Sequence, residues 1–256
     1  MKVIVIAAGR GRRLMPTTAD APKCYAEVAG RRLIDWALDA FAANNLSDIC
    51  FIGGYQIDKV KAAYPHFTFR ENTNWEHNNI LASLFCAEDQ MNDGFICCYS
   101  DILFTADIIG RLAASKADMA LGVDTAWLAR YDGRTDHPPH DAEKVTANGS
   151  HVTRIHRQIP EHDAHGEYIG VAKFSSDGAA RLRDHYHRCR REFSGRPWRE
   201  AASFERAYLI LLFQEMIERG EPVTHIDTPG GYIEVDTQQD FEYARQHWLT
   251  RHESAH

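Results

Sequence analysis

Phosphate chemistry needs clustered positive charge, exposed backbone N–H groups and a small number of well-placed carboxylates, and all three are present. The segment Ala7-Ala8-Gly9-Arg10-Gly11-Arg12-Arg13-Leu14-Met15-Pro16, followed by Pro22-Lys23, stands directly behind the apolar run Val3 to Ala8. Two glycines there let main-chain N–H groups approach phosphate oxygens, and the arginines and lysine supply the charge that holds a triphosphate. A tight turn with solvated arginines would use the same residues. Leu14 occupies the place of the third glycine in a dinucleotide fingerprint, and no Gly-Lys-Ser/Thr follows to make a P-loop. Far downstream, Ser100-Asp101 closes the apolar run Gly94 to Tyr99, and Asp236 closes Tyr232-Ile233-Glu234-Val235. Magnesium usually keeps several waters and takes one or two protein carboxylates, which suits Asp101 and Asp236. Alone, each would serve equally as a helix N-cap or a turn residue. Glu234 points the same way as Asp236 in an extended strand, so it is an additional candidate ligand, and either residue could bind through water.

These residues need a scaffold, and its pattern begins at once. The run Lys2 to Ala7 reads as a strand buried on both faces. Ile34, Ala37, Leu38 and Phe41 form one helical stripe ended by Asn44 and Asn45; Asp48 to Gly53 is a strand, Asp58 to Ala63 a short helix, and His66 to Arg70 another β-rich run. This β-α-β-α-β order predicts an α/β fold, a mostly parallel, Rossmann-like mixed sheet flanked by helices, with ligands at the C-terminal strand ends. Leu81, Leu84, Phe85 and Glu88 predict a further helix, and Met119 to Val123 a strand. Asn148-Gly149, between Lys144-Val145-Thr146 and Val152-Thr153-Arg154-Ile155, predicts a hairpin in a small antiparallel insertion. Phe204, Ala207, Tyr208, Leu211 and Leu212 predict an amphipathic helix closed by Gly220, and Phe241, Ala244 and Trp248 a last one. With no repeat or linker visible, residues 1–256 read as a single domain.

The motif Ala-Ala-Gly-x-Gly-x-Arg-x-x-Pro ending at Pro16, with Pro22-Lys23 and Val28-x-Gly30-x-x-Leu33-Ile34 after it, resembles the signature of the nucleotidyltransferase superfamily that activates phosphorylated sugars and alcohols. Glu71-Asn72, Asn78-Asn79-Ile80-x-x-Ser83-Leu84, Ser100-Asp101, Gly166 to Gly170 and Tyr232 to Asp240 resemble, in that order, the phosphocholine and phosphonate cytidylyltransferase branch. The late aspartate lies in Glu234-Val235-Asp236-Thr237-Gln238 instead of the Leu-Asp-Thr-Gly-Thr-like context of the sugar-activating relatives. The resemblance implies a Mg²⁺-dependent enzyme that moves CMP from CTP to a small phosphorylated or phosphonylated acceptor, phosphocholine-like or 2-aminoethylphosphonate-like, and releases pyrophosphate. It places Ala7, Ala8, Gly9, Gly11 and Ser100 around the nucleotide, and Asn79 and Ser83 near the base, where helix capping is their ordinary alternative. Arg13 would hold the β,γ-phosphates; Lys23 would contact the α-phosphate or the acceptor phosphate. Both act as fixed charge, since a phosphate nucleophile with a second pKa near ~6 needs no general base. For an ammonium-bearing acceptor, Trp127, Tyr131, Tyr168, Trp198 and Tyr232 offer aromatic faces and Glu167 a carboxylate. Asp124-Thr125-x-Trp127, Tyr131-x-Gly133-Arg134 and His137-Pro138 resemble an acceptor-side loop of this branch.

Composition narrows the alternatives. The 256 residues carry 29 Lys+Arg against 36 Asp+Glu, a net charge of −7 that disfavours nucleic acid or anionic membrane as the main partner. No targeting or membrane-spanning segment is visible, and six cysteines without a CxxC pair read as reduced thiols, so the expected location is cytoplasmic, as a monomer or homodimer. His137 and His140, and His185, His187 and Cys189, lack a four-ligand pattern and read as surface residues without structural zinc. The competing readings are a sugar-1-phosphate nucleotidyltransferase using another NTP, a non-catalytic nucleotide-binding regulatory protein, and a dinucleotide oxidoreductase that Leu14 counts against.

Overall fold

A computed structural model describes residues 1–253. In chain order the elements are β1 (Lys2–Ala7), β2 (Glu27–Val28), β3 (Arg31–Arg32), α1 (Leu33–Ala42), β4 (Ile49–Gly53), α2 (Ile57–Ala63), β5 (Thr68–Glu71) and α3 (Ile80–Leu84). There follow β6 (Phe95–Tyr99), β7 (Ile102–Phe104), α4 (Ala106–Ala114), β8 (Met119–Asp124), β9 (Lys144–Asn148) and β10 (His151–Ile155). The last are β11 (Gly166–Phe174), α5 (Ser176–Phe193), α6 (Leu209–Glu218), β12 (Thr224–Thr228), β13 (Tyr232–Glu234) and α7 (Gln238–Glu253).

The main sheet runs β5-β4-β1-β6-β11-β8-β12-β10-β9. Its first four strands are mutually parallel, joined by the crossovers the sequence pattern predicts. The antiparallel part is broader than a single inserted hairpin, because β11 runs against both β6 and β8. The hairpin is present as β9 and β10, with Gly149 in the left-handed region at its turn, and β9 folds back to pair with β11 as well.

Alternation in the strands sends side chains into two hydrophobic layers. Ile4, Ile6, Cys50 and Ile52 face a core built with α3, α5 and α6, while Val3, Val5 and Phe51 face α1, α2 and α4. The α1 stripe behaves as its spacing predicts, with Ile34, Ala37 and Phe41 buried, and Asn44 donates to the carbonyls of Ala40 and Ala106 at its end. The helix expected from Phe204 begins instead at Leu209. Phe204–Arg206 form a 3-10 turn, and the carbonyls of Glu205 and Ala207 accept from Asn79 and Leu81, so this backbone is committed to the start of α3.

A third, smaller core positions the chemistry. Leu14, Ala26, Val28, Leu33, Leu103, Ile233, Val235, Phe241, Ala244 and Trp248 pack together where α7 meets the antiparallel pair β7 and β13. Five of these anchors lie within three residues of a charged group that faces the cavity: Leu14 beside Arg13, Ala26 after Lys23, Leu103 after Asp101, and Ile233 and Val235 alternating with Glu234 and Asp236.

Candidate active site

At the C-terminal ends of β1 and β6 lies a cavity of about 580 Å³. Its floor is electrostatic. The buried Lys23 ammonium donates to Asp101 Oδ2 and Asp236 Oδ1, both at 2.5 Å, and Arg13 donates to the other Asp236 oxygen. Asp101 follows β6 and precedes β7, and Asp236 follows β13. The convergence therefore comes from β7 pairing with β13, with the Val235 N–H donating to the Asp101 carbonyl at 2.8 Å. Gly11 makes the approach possible: its φ is +67°, and a Cβ there would sit 2.9 Å from Lys23 Cδ.

The nucleotide-side residues named from the sequence line this cavity together: Ala7, Ala8, Gly9, Gly11, Arg13, Asn79, Ser83 and Ser100. Asn79 also caps α3, its Oδ1 accepting from the Ile80 N–H at 2.8 Å, so capping and a cavity position coexist. Ser83 accepts from the amide of the buried Asn72, which exchanges two hydrogen bonds with Asn78.

The cavity is also walled by Glu167, Tyr168, Tyr232 and Glu234. A bulge in β11 turns this wall: the register shifts between Tyr168 and Ala172, where Gly170 has φ +75° and its Cα lies too close to the Tyr99 ring for a side chain. Burial pushes the Tyr168 hydroxyl well above its usual range, and that oxygen has no hydrogen-bond partner among the described residues. Glu167 accepts from Arg130 and from the Tyr131 hydroxyl at 2.6 Å, and Arg130 also pairs with the buried Asp124. Trp127 and Tyr131 do not line the cavity. They pack on each other and Ala142, and Tyr131 touches two lining residues, Glu167 through its hydroxyl and His137 edge to face with ring centroids 5.7 Å apart. Trp198 lies elsewhere, against Phe204 and Phe193.

His137 corrects the surface reading of that histidine. It is buried and lines the cavity because Asp240 accepts from both it and Arg134, and Glu234 lies 3.5 Å from its Nε2. Burial opposes its protonation, but the Asp240 hydrogen bond and the charges of Glu234 and Asp240 outweigh that and raise its pKa. Burial pushes Glu234 up to about 7, with His137 pulling the other way. Asp240 also accepts from the N–H groups of Asp236 and Thr237, at 3.0 and 2.8 Å, and so fixes the loop that presents Asp236. His185 and His187 do diverge on α5, to Glu221 and Glu88.

Sequence reasoning missed Trp75, Tyr99, Glu143, Arg157 and Tyr208 in the lining. Glu143 accepts from Arg157 at 3.3 Å and from Tyr99 at 3.2 Å, and the Arg157 guanidinium lies 4.0 Å over the Tyr208 ring. Burial raises the Glu143 carboxyl, against the lowering effect of Arg157. No local spacing signals this group, which four separate segments assemble.

A glycine-bearing loop behind a buried parallel strand, beside two carboxylates on a shared lysine, suits the chemistry of a nucleotidyltransferase. Residues 3–166 match the MobA-like NTP transferase domain, and the chain belongs to that family. It is 28% identical over 252 residues to the CTP:phosphoglutamine cytidylyltransferase of Campylobacter jejuni, covering 94% of this chain and 98% of the relative. It is 31% identical over 189 residues to the 2-aminoethylphosphonate cytidylyltransferase of Lancefieldella rimae, covering 72% of this chain and 71% of that one. The solved CTP:phosphocholine cytidylyltransferase of Streptococcus pneumoniae superposes with a TM-score of 0.71 over 96% of this chain and 97% of its own, at 19% identity, a likeness of fold.

Proposed function

We propose that the protein transfers CMP from CTP to a small phosphorylated or phosphonylated acceptor with an ammonium head, and releases pyrophosphate. The observation that carries this is the Lys23 ammonium held at 2.5 Å from both Asp101 and Asp236, beside Arg13, on the floor of a cavity edged by a glycine loop. An oxygen of the acceptor phosphate attacks the α-phosphorus, the bond from that phosphorus to the bridging oxygen breaks, and pyrophosphate leaves with the electron pair. Catalysis is then alignment and charge neutralisation, with no proton to remove from a dianionic nucleophile. Arg13 gathers charge on the departing pyrophosphate, Lys23 faces the reacting phosphates, and the backbone of residues 8 to 11 cradles the triphosphate.

A hard divalent cation fits the donor set. Asp101 and Asp236 already share one positive centre in the Lys23 ammonium, and Glu234 adds a carboxylate on the same side. These residues would hold Mg²⁺, which when bound supplies further neutralisation of the triphosphate.

Two features bear on the acceptor. Glu143 and Glu167, among the rings of Tyr99, Tyr168, Tyr208 and Tyr232, suit an ammonium group. Arg157 beside them suits a carboxylate, which favours an amino-acid-like head of the kind the Campylobacter relative's name describes over phosphocholine. Six free cysteines, five of them buried, support work in a reducing cytoplasm. The test is pyrophosphate release with Mg²⁺, screening five NTPs against phosphoglutamine, 2-aminoethylphosphonate, phosphocholine and sugar 1-phosphates. Turnover with CTP and one amino-bearing acceptor is expected. Turnover confined to sugar phosphates would replace this reading.

A further inference from the structure

Away from the cavity, β12 carries His225 and Asp227 two residues apart, so both side chains leave one face of the strand. His165, the residue before β11, reaches the same point: its Nε2 lies 3.0 Å from each Asp227 carboxylate oxygen. His225 Nδ1 lies 2.7 Å from Asp227 Oδ1, and all three donor atoms fall within 4.8 Å of one another. None of the three residues lines the catalytic cavity.

The hydrogen bonds of His225 fix which of its nitrogens can hold a cation. Its Nε2 is 2.9 Å from the Gly149 carbonyl, which can only accept, so Nε2 carries a proton. In a neutral ring the Nδ1 lone pair then faces a carboxylate lone pair at 2.7 Å, a contact that is favourable only with a cation or second proton between them. Arg111 does not neutralise that carboxylate, since it donates to the Asp227 main-chain carbonyl and to Asp107.

We propose that His165, His225 and Asp227 form a second metal site, for a borderline divalent transition ion such as Zn²⁺ or Co²⁺. Two imidazole nitrogens and one carboxylate oxygen are the donor set such ions prefer over Mg²⁺. The Gly149 carbonyl supplies the outer hydrogen bond that orients a metal-binding histidine. Because His165 and Asp227 are partly exposed, a water completes the coordination. The bound ion clips β12 to the start of β11, two residues before Glu167 in the cavity wall.

The test is titration of the metal-stripped full-length protein with Zn²⁺ by calorimetry and with Co²⁺ by visible absorption, at mildly alkaline pH where imidazoles are neutral. Both are repeated in Asp236→Asn, which disables the catalytic cation site. The expected result is a site retained in Asp236→Asn and weakened about tenfold or more in His165→Ala and His225→Ala, with the intense visible bands of four-coordinate Co²⁺. His165→Gln, checked for folding by circular dichroism, covers the case in which an alanine variant fails to fold. Absence of binding to the wild type, binding lost only in Asp236→Asn, or equal binding in every histidine variant would overturn the proposal. Each of these outcomes can arise whether or not CTP is the nucleotide.

Discussion

At the scale of single residues, the proposed chemistry depends on the position of charge. Asp101→Ala and Asp236→Ala each remove one side of the lysine-bridged floor, and steady-state assays are expected to show turnover falling by about two orders of magnitude or more. Circular dichroism should remain unchanged, since neither residue belongs to a hydrophobic core. Unchanged turnover in either variant would remove the cation-site assignment. Lys23→Ala should lower kcat more than it raises KM for CTP, because its charge matters most as phosphate charge redistributes in the transition state. Gly11 and Gly9 separate backbone from contact effects. Gly11→Ala strains a left-handed residue and pushes on the Lys23 stem, costing on the order of 1–2 kcal/mol in thermal unfolding. Gly9→Ala meets no atom within 4 Å, so it should leave stability alone and weaken nucleotide binding only.

At the scale of elements, legibility followed the range of the interactions. Strands β1, β4 and β6 and helix α1 were readable because each repeats one local pattern of burial. The start of α6 was not, because the main chain at Glu205 and Ala207 is claimed by α3, a contact that apolar spacing does not encode. His137 was misplaced for a similar reason: its burial depends on Asp240, 103 residues away. Glu215 on α6 shows the energetic side of such distant pairing. Burial works against its charge, but hydrogen bonds from Arg219, Arg199 and Arg188 overcome it and bring its pKa down to about 2. A carboxylate depressed on folding contributes stability above its unfolded value near ~4.5 and loses it as pH falls toward the folded value. Glu215→Gln should therefore cost on the order of 2 kcal/mol at neutral pH, and denaturant titrations should show wild type and variant converging between pH ~4.5 and ~2.

At the scale of the whole molecule, the sequence carried the identities of the charged floor, while what assembles them was hidden in the third core. Arg13, Lys23, Asp101 and Asp236 could be named from motifs, yet only the packing of Leu14, Leu103, Ile233 and Val235 under α7 brings their loops to one place. The Glu143 and Arg157 group escaped notice because its partners are carried by different segments and mean nothing singly. This construction ties stability to ligand binding. CTP at about a hundred times its Kd stabilises the native state by roughly 2.7 kcal/mol, and for a chain of this size that raises Tm by several degrees. The distribution of the effect is the sharper measurement. Hydrogen exchange with Mg²⁺ and CTP should slow together in residues 8–14, 23–28, 100–104 and 232–241, four segments that share one core. Ile233→Ala should loosen that core by about 2–5 kcal/mol and, although Ile233 is absent from the cavity lining, lower kcat as well. Protection confined to the glycine loop, with an Ile233→Ala enzyme that turns over normally, would mean that the loops hold their geometry without the core beneath them.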